Sequence, residues 1–381
     1  MLEPPVEYLK NSESEILKKP MGTSIAATSN VASSPCVSDS FRGYLQTFAA
    51  GLYLNLFMYL PFIAWFFTAF LMIYFGFLGR TLLLIYFAYI YYDHKTTHST
   101  IHGNGLMFFR DNFLTDLARE YYPVKLVKTA ELPPNRNYLV ACFPHGVIST
   151  GIAVNMSINI RSWLELFPGV RPKLVTLDMY LRTPFLRDLG RSWGFVASAK
   201  EAIMRQLNKS NDPHHPHNSD GFTSNALGIV IGGAQEAFDS RPGKYILTLK
   251  QRKGFVKIAI QTGCPIVPSF SFGEVDILDQ LDSPSNTLLK KFQVLFKRVT
   301  GIAPIIAIGR GFIRQGLGVL PFRKPIVQVV GAPIDVKKTA EPDPKYVDEI
   351  HQKVIDSVNE MFEKYKYKYI ENPESTKLII N

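Results

Sequence analysis

The pattern of hydrophobic and polar positions divides the 381-residue chain into three parts. The first forty residues are polar. From Gly43 to Gly79 no Asp, Glu, Lys or Arg occurs, and after Arg80 a second apolar stretch runs from Leu82 to Tyr92. The first run alone exceeds the roughly 20 apolar residues that cross a bilayer once. From about Phe108 short apolar runs alternate with amphipathic stretches. Runs at 138–142, 173–177, 227–231, 265–270, 304–308 and 326–330 read as buried strands. Stretches near 150–165, 180–192, 199–208 and 252–262 read as helices. The alternation predicts an α/β fold, a mostly parallel sheet covered by helices on both faces. After Pro342 and Pro344, the residues Val347, Ile350, Val354, Val358, Met361, Phe362 and Tyr365 lie at helical spacing and predict a last amphipathic helix.

The expected organisation is a tail over 1–42, a membrane helical hairpin over 43–92 and the α/β domain over 93–381. The tail carries Glu3, Glu7, Glu13 and Glu15 before any apolar run, which excludes a signal peptide. Its Ser/Thr/Ala/Pro-rich part from Met21 to Ser40 reads as disordered. Pro61, Gly76 and Gly79 punctuate the hairpin. Lys18, Lys19 and Arg42 precede it and Lys95 follows it, so a turn near Pro61 with both ends on the cytosolic side is favoured. The competing arrangement has one span in 48–75 and a second in 81–92, extended, with Arg80 at an interface. The polar segment 211–221 reads as a surface loop.

Charge narrows the partners. The formal net charge of +10 calls for nucleic acid, an anionic membrane surface or an anionic cosubstrate. The apolar segment, and the lack of any zinc-finger, homeodomain or RNA-binding signature, exclude nucleic acid. Three scattered cysteines, Cys36, Cys142 and Cys264, form no disulfide framework and fit a reducing, cytosol-facing domain.

Two short turns carry the candidate chemistry. Phe143-Pro144-His145-Gly146 follows the apolar run Tyr138–Cys142, and Gly232-Gly233-Ala234-Gln235-Glu236 follows Leu227–Ile231. A strand ending in a glycine turn exposes backbone amides and lets one side chain stand at the sheet edge. Here those side chains are His145 and Glu236. A neutral imidazole takes a proton from an alcohol, and a carboxylate holds its ring in the right tautomer. The membrane-type segment makes a lipid the expected alcohol. Cys142, three residues before His145, offers an alternative nucleophile, although a strand-end cysteine is usually a core residue. His94, His98 and His102, and His214, His215 and His217, offer zinc clusters that lack an accompanying carboxylate or cysteine pattern, so no metal is expected. Asn155 and Asn208 begin glycosylation sequons that a cytosolic domain leaves unmodified.

Together the motifs resemble the diacylglycerol acyltransferase 2 family, which also includes monoacylglycerol and wax-alcohol acyltransferases. The resemblance covers roughly Phe108 to Tyr365. Phe143-Pro144-His145-Gly146 resembles the family's His-Pro-His-Gly, and Gly232–Glu236 its Gly-Gly-Ala-x-Glu. Arg252-Lys253-Gly254-Phe255-Val256-Lys257 through Gly263, Val267-Pro268 and Phe272-Gly273-Glu274 resembles its longest signature. Gly309-Arg310-Gly311-Phe312 through Leu320–Ile326 resembles its late Gly-Arg-Gly and Pro-aromatic-Arg region, and Tyr121-Tyr122-Pro123 its Tyr-Phe-Pro element. One departure is Phe143, where the family has its first histidine. Another is Thr150 at the position of the aspartate in the wider glycerolipid acyltransferases.

The resemblance implies a glycerolipid acyltransferase-like fold and an acyl-CoA-dependent O-acyltransferase. Its acceptor is the hydroxyl of diacylglycerol or monoacylglycerol, in triacylglycerol synthesis at the endoplasmic reticulum membrane and lipid droplets. His145 is then the general base and Glu236 its partner. The Gly146 and Val147 amides would serve the oxyanion, beside the Gly232-Gly233 turn. Arg252, Lys253, Lys257 and Arg241 would meet the phosphates of acyl-CoA, a cosubstrate, with no other cofactor implied. Acylglycerol, the membrane and a second copy of the chain are the remaining expected partners. A wax-alcohol or lysophospholipid acyltransferase, and a catalytically inactive membrane or lipid-droplet scaffold, stay open as rivals.

Overall fold

The structure, a computed structural model, describes residues 41–96, 104–281, 287–300, 304–311, 318 and 320–381. All of the expected tail except Phe41 and Arg42 lies outside the described residues, as do His98 and His102.

The first helices are α1 (Phe41–Ala50), a π turn (Gly51–Asn55), α2 (Leu56–Tyr74), α3 (Gly76–Thr96), α4 (Met107–Arg110) and α5 (Phe113–Tyr121). The strands are β1 (Val124–Lys128), β2 (Tyr138–Phe143), β3 (Val170–Thr176), β4 (Phe195–Ala197), β5 (Ser224–Val230), β6 (Tyr245–Leu247), β7 (Ile266–Phe272), β8 (Asp279–Gln280), β9 (Ala307–Ile308), β10 (Ile326–Val330) and β11 (Leu378–Ile380). Between and after them run α6 (Thr150–Ala153), α7 (Arg161–Leu166), α8 (Asp178–Arg182), α9 (Leu186–Ser192), α10 (Lys200–Leu207), α11 (Gly233–Asp239), α12 (Gly254–Thr262), α13 (Leu288–Thr300) and α14 (Pro344–Tyr369).

Seven strands form one sheet in the order β1-β10-β7-β2-β5-β3-β4. Every neighbouring pair is parallel except β7 with β10. The strands that carry the two motifs, β2 and β5, are adjacent, with Cys142 opposite Val230. Their two turns therefore emerge side by side at one edge of the sheet. Both sheet faces are covered, which is why the central strands read as continuous apolar runs. One face carries Val140, Cys142, Ile152 and Trp163, and the other carries Ala141, Phe143, Phe270 and Phe362.

Three expectations are corrected. The single helix near 150–165 is broken into α6, a π turn (Val154–Ile158) and α7, with Ser149 entering at φ 52° and Asn159 ending the π turn. The run at 304–308 yields only the two-residue β9. Pro61 lies inside α2, and the chain turns at Gly76, whose φ of +56° suits glycine. Arg80 folds back across this break, its Nε donating to the Met72 carbonyl at 3.0 Å. Helices α2 and α3 are in contact across this turn. Phe67 and Tyr86 both meet the Phe185 ring, at 5.5 and 5.0 Å. Among the described residues no helix is long and apolar enough to cross a membrane.

The closing helix α14 begins at Asp343, which accepts from the Lys345 amide, with Pro344 in the first turn. It lays Val347, Ile350, Val354, Val358 and Phe362 on the sheet. Phe362 is fully buried and meets Tyr245, Phe270 and Phe272 at 5.4–6.1 Å. Phe362→Ala should lower the free energy of unfolding by about 3–5 kcal/mol. Denaturant titration in detergent will read this, and an unchanged midpoint would show that α14 is not part of the core.

Candidate active site

His145 stands one residue past Pro144, at the carboxyl end of β2. Its main-chain N–H donates to Glu236 Oε1 at 2.5 Å, and the Thr248 N–H donates to Glu236 Oε2 at 3.1 Å. The expected carboxylate–imidazole contact is replaced by a carboxylate–backbone contact. Glu236, in the first turn of α11, holds the loop that carries the histidine rather than its ring. The ring is oriented by a nearer group, the Gly146 carbonyl, 3.1 Å from His145 Nδ1. A carbonyl only accepts, so Nδ1 carries the proton and Nε2 keeps its lone pair. Burial holds the imidazole below its ordinary pKa, outweighing the carbonyl that favours the charged form. The ring is thus a neutral base near pH 7.

A second carboxylate pins the other end of the same loop. Glu274 is fully buried and accepts from the backbone amides of Thr150 and Gly151, the latter at 2.8 Å. The sequence places Glu274 at the end of the Phe272-Gly273-Glu274 motif without pointing to a role for it. The signal was its apolar setting, after the buried strand β7 and a positive-φ glycine, Gly273. Glycine is required beside both clamps. Gly146 has φ +57°, and a Cβ there would lie 2.9 Å from Glu274 Cγ. A Cβ on Gly232 would lie 1.9 Å from Glu236 Oε2. Gly233 has φ +57°.

The Thr150 and Gly151 amides are taken by Glu274. Among the described residues, the amides of Gly146 and Val147 donate to no acceptor.

The histidine borders an apolar cavity of about 330 Å³ at the carboxyl ends of β3 and β5. Leu174, Leu177, Ile229 and Val230 come from the strand ends and the loop after β3, Ala234 and Ala237 from α11, and Trp193 and Tyr53 from the helical side. Parallel sheets place ligands at this edge. Phe143 does not line it. Its ring is fully buried in the opposite core face.

A family model described as diacylglycerol acyltransferase matches residues 71–381. The chain belongs to the diacylglycerol acyltransferase family. Relatives include diacylglycerol O-acyltransferase 2 of Dictyostelium discoideum, 36% identical over 69% of this chain and 76% of that protein. The chain is 34% identical to 2-acylglycerol O-acyltransferase 1 of Bos taurus, over 76% of this chain and 82% of that one. It is 33% identical to acyl-CoA wax alcohol acyltransferase 1 of Mus musculus, over 75% and 83%. The solved 1-acyl-sn-glycerophosphate (LPA) acyltransferase PlsC of Thermotoga maritima aligns at a TM-score of 0.36 and 14% identity. That alignment covers 84% of this chain and all of that one, a likeness too distant to carry an inference.

Other motifs of the family meet in space. The Tyr121 hydroxyl donates to the Pro321 carbonyl at 2.8 Å, and the Arg310 and Arg323 guanidinium groups lie 5.8 and 5.6 Å from the Tyr121 ring centre. The four basic residues expected at acyl-CoA stand apart from the cavity. Arg252 and Lys257 are exposed at the start of α12, and Lys253 pairs with Asp348 at 2.6 Å. Arg241 donates to the Ser240 carbonyl at 2.8 Å. Arg252 is near enough for its charge to reach Glu236.

Cys142 is buried and its thiol is pushed far up by burial, so it supplies no thiolate nucleophile. Cys264 is buried with a raised pKa as well. Asn155 is fully buried and donates to Gln328 Oε1 at 2.9 Å, which closes that sequon to modification. Among the described residues no His, Cys, Asp or Glu cluster is arranged to hold a metal.

Burial raises the Glu236 carboxyl to about 7 and the Glu274 carboxyl to about 8, against the backbone amides that favour the charged forms. Folded pKa values above 4.5 mean that the stability from these groups is fully present below pH 4.5 and is lost as pH rises through 7–8. The stability gap between wild type and Glu236→Gln/Glu274→Gln should therefore narrow between pH 4.5 and 8, by on the order of a few kcal/mol. Unfolding midpoints across that range will measure it; a widening gap would contradict the assignment.

Proposed function

We propose that the protein transfers the acyl group of acyl-CoA to the hydroxyl of a neutral lipid, diacylglycerol or monoacylglycerol, at the endoplasmic reticulum membrane. The observation that carries this reading is the neutral His145 imidazole on the wall of an apolar cavity, beside two backbone amides with no other partner among the described residues. The hydroxyl gives its proton to His145 Nε2 while its oxygen attacks the thioester carbonyl. The Gly146 and Val147 amides receive the charge on the carbonyl oxygen, as preorganised donors do. Collapse of the tetrahedral adduct expels the coenzyme thiolate, which takes the proton back from Nε2. The Gly146 carbonyl steadies the transient imidazolium through Nδ1.

The apolar cavity suits an acyl chain or a lipid acceptor, and the names of the relatives favour acylglycerols over other alcohols. Arg252, Lys253 and Lys257, displaced from the cavity, suit the distant phosphates of acyl-CoA. Helices α2 and α3 expose Trp65, Phe66, Ile73, Phe77 and Leu84 to the surroundings. With the turn at Gly76, and no helix both long and apolar enough to cross a membrane among the described residues, a re-entrant hairpin with both ends on the cytosolic face accounts for them. A droplet monolayer would accept the same hairpin. The inactive-scaffold alternative rested on Phe143, whose place in the core takes it away from the reacting groups.

His145→Ala should lower acyl transfer by about 10²–10⁴-fold while leaving membrane recovery unchanged. In wild type the acid limb of the rate profile should fall below the ordinary histidine value of 6.5. Microsomes given labelled acyl-CoA and a panel of mono- and diacylglycerols, wax alcohols and lysophospholipids will read both rate and acceptor. Full activity of the alanine variant would refute the mechanism, and preference for a wax alcohol or lysophospholipid would replace the acceptor.

A further inference from the structure

Helix α13 is built inside out. On a helix at the surface of a water-soluble domain the apolar row faces the core and the polar row faces water. Here Leu288, Phe292 and Leu295 lie on one row and are 85%, 58% and 61% exposed, whereas Gln293 on the opposite row is 5% exposed. The polar row makes the attachment. The Gln293 side-chain amide donates to the Pro304 carbonyl at 2.9 Å, and Lys297 Nζ donates to Gln235 Oε1. The ammonium groups of Lys290 and Lys297 lie 3.8 and 4.8 Å from the Phe238 ring centre.

Those contacts tie α13 to the active site. Gln235 and Phe238 belong to α11, the helix that carries Glu236 and whose Ala234 and Ala237 line the cavity. Ile305, next to the Pro304 that Gln293 holds, lines the cavity as well. So α11 has the cavity along one side and α13 along another. The outward apolar row is bordered along one edge by Lys291 and Arg298, both exposed. A leucine–phenylalanine row edged by cations, with long side chains able to reach up to headgroups, matches an anionic lipid surface.

We propose that α13 lies at the headgroup–acyl boundary of an anionic bilayer, with Leu288, Phe292 and Leu295 among the acyl chains and Lys291 and Arg298 at the phosphates. Its docking sets the cavity beside the lipid phase. That the acceptor lipid enters from there rests on the acyl-transfer reading above; the docking itself does not.

The test uses the full chain with Cys36→Ser and Leu295→Cys, labelled at position 295 with an environment-sensitive fluorophore and reconstituted into vesicles. Native Cys142 and Cys264 are buried. The comparison site is Gln352→Cys, on the exposed side of α14. Brominated lipid should remove most of the emission at 295 and little at 352, aqueous iodide should do the reverse, and the loss at 295 should grow when phosphatidylserine is added to phosphatidylcholine. Iodide quenching at 295 would overturn the docking, as would shielding from both quenchers, the sign of a protein partner or second copy on this face. Equal lipid quenching with and without phosphatidylserine would overturn the anionic assignment. Acyl transfer measured on the same vesicles separates the two readings. Lipid quenching without transfer leaves docking and removes the enzymatic route, and transfer without lipid quenching does the opposite.

Discussion

Two buried carboxylates hold the active-site loop by its backbone. Glu236 takes the amides of His145 and Thr248, and Glu274 takes those of Thr150 and Gly151. A hydrogen bond of this kind is worth about 0.5–1.5 kcal/mol net when the carboxyl is neutral and about 1.5–3 kcal/mol when it is charged, and its loss leaves a buried donor unsatisfied. Between the two clamps lie an imidazole with its Nε2 lone pair and two amides, of Gly146 and Val147, to which no described residue offers an acceptor. The two carboxyl groups fix the backbone of the loop, at the expense of burying two titratable groups.

Much of this is legible in the sequence, for reasons that particular residues show. The strand β10 reads with its observed bounds, because both its faces are buried and Ile326–Val330 is nearly all apolar. The edge strands β1 and β4 do not, because edges are kept short or charged, and Val124-Lys125-Leu126-Val127-Lys128 carries its lysines there. The meeting of His145 and Glu236 follows from two glycine turns on strands that pair. Their mode of contact does not follow, because residue types say which side chain is acidic and not which amide it will find. Glu274 is hidden for the same reason. Phe143 looks like a lost catalytic group in the motif; strand alternation sends it to the core face away from the cavity.

The apolar surface is distributed with equal consistency. Helices α2 and α3 expose aromatic side chains and are fixed to the domain at Phe185 and Asp188, where the Tyr86 hydroxyl donates to the carboxylate at 2.5 Å. Tyr53, from the π turn just before α2, lines the cavity, and so does Ile305, just after α13. The two segments that leave greasy side chains uncovered thus adjoin the compartment where His145 waits. The cavity between them is lined mainly by apolar side chains, with His145 and Val147 on its wall.

Backbone hydrogen exchange in Glu274→Gln and Glu236→Gln tests the clamp most directly. Exchange should be faster at Thr150 and Gly151 in the first variant and at His145 and Thr248 in the second, with β2, β5 and β7 unchanged. Unaltered exchange at all four amides in both variants, with the chain still folded, would contradict it.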